Sequence, residues 1–286
     1  MLDSARLRVL DAVARTGSLT AAAREVHLTQ PAVSHHLARL EAETGAQLVQ
    51  RVGRGIRLTP AGRLLADRAA EIVGRLDAAS AELSALVGLT AGRVRLAGYT
   101  TALSTLLPSA TAILHAAHPG LELSIVDTHP PEALAMLRAG DVDAALIFRY
   151  DTSAPEDADL RLVHLLDDPT YLLTREGPTD VAGHRDSPWI GGCERCRAHL
   201  VDLCRAAGFA PTIRYTTDDM VLMQTLVGAG LGVTTIPGLA LRVHRLAGVT
   251  ATPLPDAARH VFVATYGEPP DPPATQALLA ALTAAV

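Results

Sequence analysis

The chain has 286 residues, 49% hydrophobic and 19% charged, which suits about two domains with real cores and excludes a disordered chain. No apolar run approaches the ~20 residues that span a bilayer, and the start Met1-Leu2-Asp3-Ser4-Ala5-Arg6 lacks a signal peptide's charged and apolar stretches, so a cytoplasmic protein is expected. The net charge of −5 divides unevenly: residues 1–88 carry 11 arginines against 9 acids and the remainder 14 against 21, which puts the charge suited to nucleic acid at the N-terminal end.

Leu7, Leu10, Val13 and Ala14 have helical spacing, and Thr16-Gly17 breaks that helix. Ser18 is a good cap for a second helix, Leu19 to Val26, followed by a turn at His27-Leu28. Thr29 caps a third, with Pro31 in its first turn where a missing N–H costs nothing. Val33, Leu37 and Leu40 face a core, leaving Pro31, Ser34, His35, Ala38 and Arg39 outside. Two short helices, a tight turn and a polar outer face describe a helix-turn-helix, although a plain helical subdomain has the same periodicity.

Residues 50–60 read as two short strands around a Gly-Arg-Gly tip, with Arg51, Arg54 and Arg57 projecting and no acid between them. Directly after a helix-turn-helix such a hairpin reads as a wing that lies along phosphates or dips an arginine into the minor groove. Thr59 then caps a long helix running to about Val87-Gly88. Its Leu65, Ala69, Ile72, Leu76, Ala79, Leu83 and Leu86 form a heptad seam, which calls for the same helix of a second subunit or for packing on its own domain.

From Arg93 the pattern alternates. Strands are predicted at Arg93–Ala97, Leu121–Val126, Val142–Phe148, Leu172-Leu173, Trp189-Ile190, 212–215, Val233–Ile236 and Val261–Thr265. Helices are predicted at Thr101–Ala117, Pro131–Arg138, 194–207, 218–229 and 274–285. This is an α/β domain with parallel strands, in which ligands bind beyond the strands' carboxyl ends.

Ser18-Leu19-Thr20-Ala21-Ala22-Ala23, Leu28-Thr29-Gln30-Pro31-Ala32-Val33-Ser34, Leu40-Glu41, Gly45 and Leu58-Thr59-Pro60-Ala61-Gly62 together closely resemble the LysR-type transcriptional regulators over roughly the first 88 residues. Gly98-Tyr99-Thr100-Thr101, Gly140-Asp141-Val142-Asp143-Ala144-Ala145-Leu146 and Val227-Gly228-Ala229-Gly230-Leu231-Gly232-Val233 with Ile236-Pro237 resemble the family's effector domain, itself similar to periplasmic binding proteins. The resemblance implies a winged helix-turn-helix over 1–59, a linker and dimerisation helix over 60–88 and a two-lobed effector domain over 89–286. It implies DNA contacts from Thr29, Gln30, Pro31, Ser34, His35, Arg51, Arg54 and Arg57, and an effector pocket at Thr100, Thr101, Thr128, Arg149 and Thr217, with a carboxylate-binding role and a lobe-interface salt bridge both open for Arg149. His35 stands where the family usually has arginine. Histidine does not read guanine bidentately, so a changed base preference and a simple phosphate contact are both open. The implied partners are double-stranded promoter DNA, RNA polymerase, a small effector, and further copies in a homodimer or homotetramer, with no cofactor.

Cys193-Glu194-Arg195-Cys196 opens a helix, where the helix N-terminus, Arg195 and Arg197 are expected to acidify a thiol. A redox switch, a metal site completed by His199, and structural thiols are all open. Cys204, roughly 16 Å along a regular helix from Cys193, reads as core. A thiol oxidoreductase would leave the wing and seam unexplained, and a solute-binding protein would leave the first 88 residues unexplained. There is no Gly-rich phosphate loop and no supported Ser/His/Asp set. His115, His118, His129 and His164 are scattered without metal-ligand spacing. The chain therefore reads as a regulator rather than an enzyme.

Overall fold

Side-chain caps define the N-terminal helices. Asp3 accepts the Ala5 and Arg6 N–H groups at the start of α1 (Ser4–Thr16), and Ser18 accepts the Ala21 N–H at the start of α2 (Leu19–Glu25). Thr29 accepts from Ala32 at the head of α3 (Gln30–Thr44). The computed structural model describes residues 2–52, 55–86, 92–150, 160–267 and 269–286, with the backbone alone for 51, 52, 55 and 77–86. Leu7, Leu10, Val13, Ala22, Val33, Leu37, Leu40 and Leu48 close one core beneath the three helices. The hairpin of β1 (Val49–Val52) and β2 (Gly55–Leu58) follows.

Helix α4 (Pro60–Leu86) starts where the Thr59 hydroxyl accepts the Gly62 N–H at 3.0 Å and donates to the Gln47 carbonyl at 2.6 Å. A Cβ on Gly62 would stand 2.0 Å from the Leu48 carbonyl oxygen, so only glycine lets this turn lie on the segment before the wing. Ala66, Ala69 and Val73 bury the helix against the headpiece core. The predicted heptad seam is thus divided. Ala69 is fully buried and Leu65 half-buried within the chain's own headpiece, because a single helix stripe packs on α1 first. Ile72 and Leu76 are 40% and 46% exposed, beside an exposed Leu64. The Ala79, Leu83 and Leu86 side chains lie outside the described residues.

The rest is built on a six-stranded sheet, in the order β4-β3-β5-β10-β6-β9. Its strands are β3 (Gly92–Gly98), β4 (Leu121–Asp127), β5 (Ala144–Arg149), β6 (Leu160–Thr174), β9 (Thr234–Pro237) and β10 (Thr250–Tyr266). Helices α5 (Thr100–Ala117) and α10 (Pro273–Ala284) cover one face over Leu96, Leu146, Phe148, Val261 and Val263. Helix α6 (Pro130–Ala139) covers the other over Ala97, Ala145, Ile147 and Ala264. The second lobe adds the parallel pair β7 (Pro188–Gly191) and β8 (Thr212–Thr216), with α7 (Glu194–Ala206), α8 (Met220–Gly228) and α9 (Gly238–Val243). No helix among the described residues is long and apolar enough to cross a membrane.

Two departures from the sequence reading matter. The sheet is mixed: β3, β4 and β5 run parallel, but β10 is antiparallel to both β5 and β6. Leu172-Leu173 and Val261–Thr265 are short pieces of two long strands that pass from one lobe to the other. Asp167-Asp168-Pro169 and Pro253-Leu254-Pro255-Asp256 interrupt the apolar pattern of those strands, and proline cannot donate to a ladder. The structure absorbs them in a register shift between Pro253 and Ala258, with Asp256 at φ 56°. At the other end β5 begins at Ala144 rather than Val142, because Asp143 instead receives the Arg95 N–H at 2.7 Å and its guanidinium at 2.8 Å.

The linker helix also touches the first lobe. A Cβ on Gly140, just past α6, would stand 2.3 Å from the Gly74 Cα, and the Arg75 guanidinium lies 5.5 Å from the Tyr266 ring. Two glycines let the backbones meet, and α4 thereby joins the effector domain to the headpiece.

Candidate DNA interface and thiol site

Helix α3 presents Thr29, Gln30, Pro31 and His35 to solvent, with Ser34 half-buried between them. The Gln30 amide donates to the Ser34 hydroxyl at 3.0 Å, so both polar groups sit on one ridge of the helix. Arg57 is exposed on β2. The Arg54 residue and the Arg51 side chain lie outside the described residues.

The threonines expected in an effector pocket lie at the ends of β3, β4 and β8, but in different environments. The Thr100 hydroxyl donates to the Asp127 carboxylate at 3.1 Å, which places negative charge beside it. Thr128 and Thr217 are half-buried, and their N–H groups donate to the Gly98 and Gly191 carbonyls at 2.9 and 3.0 Å. Between them His129 Nε2 meets Asp218 Oδ2 at 3.1 Å, joining one lobe to the other.

Thr101 is not open to a ligand. It is buried and accepts Arg259 Nη2 at 2.8 Å. Arg259, 1% exposed, also donates to Asp168 at 2.9 Å and lies over the Tyr99 and Phe148 rings at 4.8 and 4.6 Å. Asp168 uses its other oxygen to accept the Leu239 N–H at the start of α9. Arg149 does not join this group. It is the register partner of His260 and lies over Phe262 at 5.9 Å, on the face of the sheet opposite Arg259. The arginine that meets Thr101 is Arg259, which the proline-rich stretch before it hid from the sequence reading.

Cys193 caps α7 and its sulfur accepts the Cys196 N–H at 3.5 Å. The two sulfurs lie 3.0 Å apart. The Cys193 thiol is pulled down to about 6, chiefly by the hydrogen bond from Cys196, with the Cys196 backbone N–H adding to it against the opposing effect of burial. The same contact and burial push Cys196 well above its ordinary range. This acidification comes first from the neighbouring thiol, whereas the sequence had pointed to Arg195 and Arg197. Arg195 donates instead to the Phe148 carbonyl at 3.3 Å.

Tyr150 stacks on His199 at 3.8 Å beside Cys196, and burial pulls the His199 imidazole below its ordinary range. Cys204 is buried with Trp189 and Leu200, its thiol pushed up to about 11 by burial, as a core position requires.

The family profile described as LysR substrate binding domain matches residues 88–286, and the profile of bacterial regulatory helix-turn-helix proteins of the lysR family matches residues 4–63. A protein from Mycobacterium avium named a probable hydrogen peroxide-inducible genes activator is 32% identical over 253 residues, covering 84% of this chain and 79% of that one. Among solved structures, full-length OxyR from Pseudomonas aeruginosa superposes with a TM-score of 0.74 at 23% identity, over 99% of this chain and 95% of that one. Full-length CbnR in complex with target DNA gives 0.66 at 19% identity, over 100% of both chains. The winged headpiece, the linker helix and the two-lobed effector-binding domain together make this chain a member of the LysR family of transcriptional regulators.

Proposed function

We propose that this regulator is a cytoplasmic, promoter-bound dimer whose output is set by oxidation of Cys193 and Cys196 to a disulfide. The observation that carries the proposal is a pair of sulfurs 3.0 Å apart at a helix start, one of them ionised near pH 6. The peroxide named for the Mycobacterium avium relative supplies the substrate class. The Cys193 thiolate attacks one peroxide oxygen, the O–O bond breaks, and hydroxide leaves to become water. The Cys196 sulfur then attacks the Cys193 sulfenic acid, giving up its proton as a second water departs. Two thiols and hydrogen peroxide become one disulfide and two waters. Closing the pair moves the sulfurs from 3.0 Å to about 2.04 Å at the head of α7, beside the Arg195 contact to Phe148. The first lobe carries the change to α4 through the Gly140–Gly74 contact. Only a difference in free energy between two lobe arrangements drives the shift.

Titrating the reduced protein with equimolar hydrogen peroxide is expected to remove two hydrogen masses and to yield a peptide joining Cys193 to Cys196, with Cys204 still a thiol. Oxygen added to Cys204 instead, or no reaction at all, contradicts the reading.

Dimerisation is assigned to the exposed apolar stripe of α4. Ile72→Ser with Leu76→Ser is expected to raise the dimer dissociation constant more than a hundredfold, since each buried aliphatic side chain is worth about 1.5–3 kcal/mol. Sedimentation velocity checks it, and an unchanged dimer places the interface elsewhere.

DNA binding is assigned to the α3 ridge and the wing. Arg54→Ala or Arg57→Ala is expected to weaken binding to all sequences and to reduce the slope of log K against log salt by about one. Gln30→Ala or His35→Ala is expected to change the preferred bases, and an identical selected-site profile removes those residues from base reading.

A further inference from the structure

The His164, Asp167 and His260 side chains converge at the surface of the crossing strands. The Asp167 Oδ1 atom receives His164 Nε2 at 2.8 Å and His260 Nδ1 at 2.6 Å, and the candidate ligand atoms all lie within 4.8 Å of one another. Three residues apart on a regular strand, His164 and Asp167 would point to opposite faces. A bulge prevents that. Asp167 pairs with His260 and Leu166 with Val261, but Phe262 pairs with His164, which leaves Leu165 as the extra residue. Leu165 and Leu166 accordingly both pack against the same core, and His164 returns to the face of Asp167 and His260. Bulges re-aim side chains in this way at functional sites. The Phe262 ring packs edge-on against His164 at 5.4 Å and fixes the imidazole, while the neighbouring Arg149 guanidinium lies over that same ring.

From this juxtaposition we infer a binding site for a borderline divalent transition ion, with zinc as the representative. Two imidazoles and one carboxylate form a nitrogen–oxygen donor set for such ions, with open coordination positions for water. The His164, Asp167 and His260 side chains are 48%, 60% and 31% exposed and belong to no core cluster among the described residues, so packing does not account for their convergence. Ordering them at the surface costs side-chain entropy that exposed ion pairs offset only weakly. Bonds of about 2.0–2.1 Å from a central ion put tetrahedral ligand atoms about 3.3 Å apart, within a small rotamer change of the present spacing. The location gives the ion a mechanical consequence. Asp167 and His260 are chain neighbours of Asp168 and Arg259, whose buried pair faces the opposite side. An ion here clamps β6 to β10 where the two strands pass between lobes, back to back with the Arg259 pocket beside Cys196.

The test uses the reduced full-length protein and zinc alone, in competition with a chromophoric chelator. A Cys193→Ser, Cys196→Ser variant is included because thiols also bind zinc. We expect that variant to keep one site per chain, and His164→Gln or His260→Gln in the same background to weaken it at least tenfold with an unchanged circular dichroism spectrum. Cobalt substituted at the site is expected to show ligand-field bands without sulfur-to-metal charge transfer. Loss of all binding with the cysteines, equal affinity in the histidine variants, or no affinity better than about 100 µM in the parent overturns the assignment.

Discussion

Replacing Cys193 with serine is expected to slow the protein's consumption of hydrogen peroxide at least a hundredfold while leaving reduced-state DNA affinity unchanged. The thiolate is the nucleophile, and with Cys193 pulled down to about 6 the group is about nine-tenths ionised at pH 7. A hydroxyl in its place is not ionised at that pH. Because the hydrogen bond from Cys196 leads the acidification, Cys196→Ala has a separate signature. Cys193 moves up towards the ordinary thiol range near 8.5, its thiolate fraction at pH 7 falls about tenfold or more, and its oxidation stops at the sulfenic acid. In the parent, alkylation stays level above about pH 7 and declines as pH falls through 6. In Cys196→Ala the decline moves to the alkaline side of neutrality. Stopped-flow peroxide kinetics and iodoacetamide trapping across pH 5–9 measure both. Identical pH profiles in parent and Cys196→Ala contradict the thiol pair as the source of the acidity.

The second large effect concerns stability. Arg259 and Asp168 are each 1% exposed and bonded at 2.9 Å, and Asp168 also receives the Leu239 N–H. Asp168→Ala leaves a guanidinium buried without its counter-charge and an amide without its acceptor. Breaking such a pair from one side costs about 3–5 kcal/mol, a fall in Tm of roughly 6–20 °C for a domain of this size. Replacing both partners, as Asp168→Leu with Arg259→Met, is expected to recover much of the loss, since the cost lies in the uncompensated charge. Thermal unfolding of the full chain tests both variants. A loss under 1 kcal/mol for Asp168→Ala shows that the pair does not hold the strands together.

The headpiece was legible in the sequence because local signals decide it. Asp3, Ser18 and Thr29 cap helices, Gly17 and Gly45 end them at φ 62° and 66°, and the apolar spacing names the core. The thiol pair was legible by its spacing alone. What escaped depends on pairing across long sequence separations. Proline and aspartate hid the crossing strands, and with them Arg259 and its link to Thr101. Arg149 ends its strand as the sequence suggests, but a strand alternates faces, and only the pairing with His260 shows that it lies on the face opposite Arg259. His164 was one scattered histidine until a one-residue bulge in β6 set it beside Asp167 and His260. The seam of α4 was legible as a period, but its Ala69 has a partner in its own headpiece.

The most direct test of the account is a footprint of the full-length protein on the DNA upstream of its own gene, reduced and after one equivalent of hydrogen peroxide. Protection is expected over two half-sites in both states, with the protected span or its hypersensitive bends changed on oxidation, restored by dithiothreitol, and unchanged by peroxide in the Cys193→Ser protein. A footprint that is the same in both states, or that still responds to peroxide when Cys193 is serine, contradicts it.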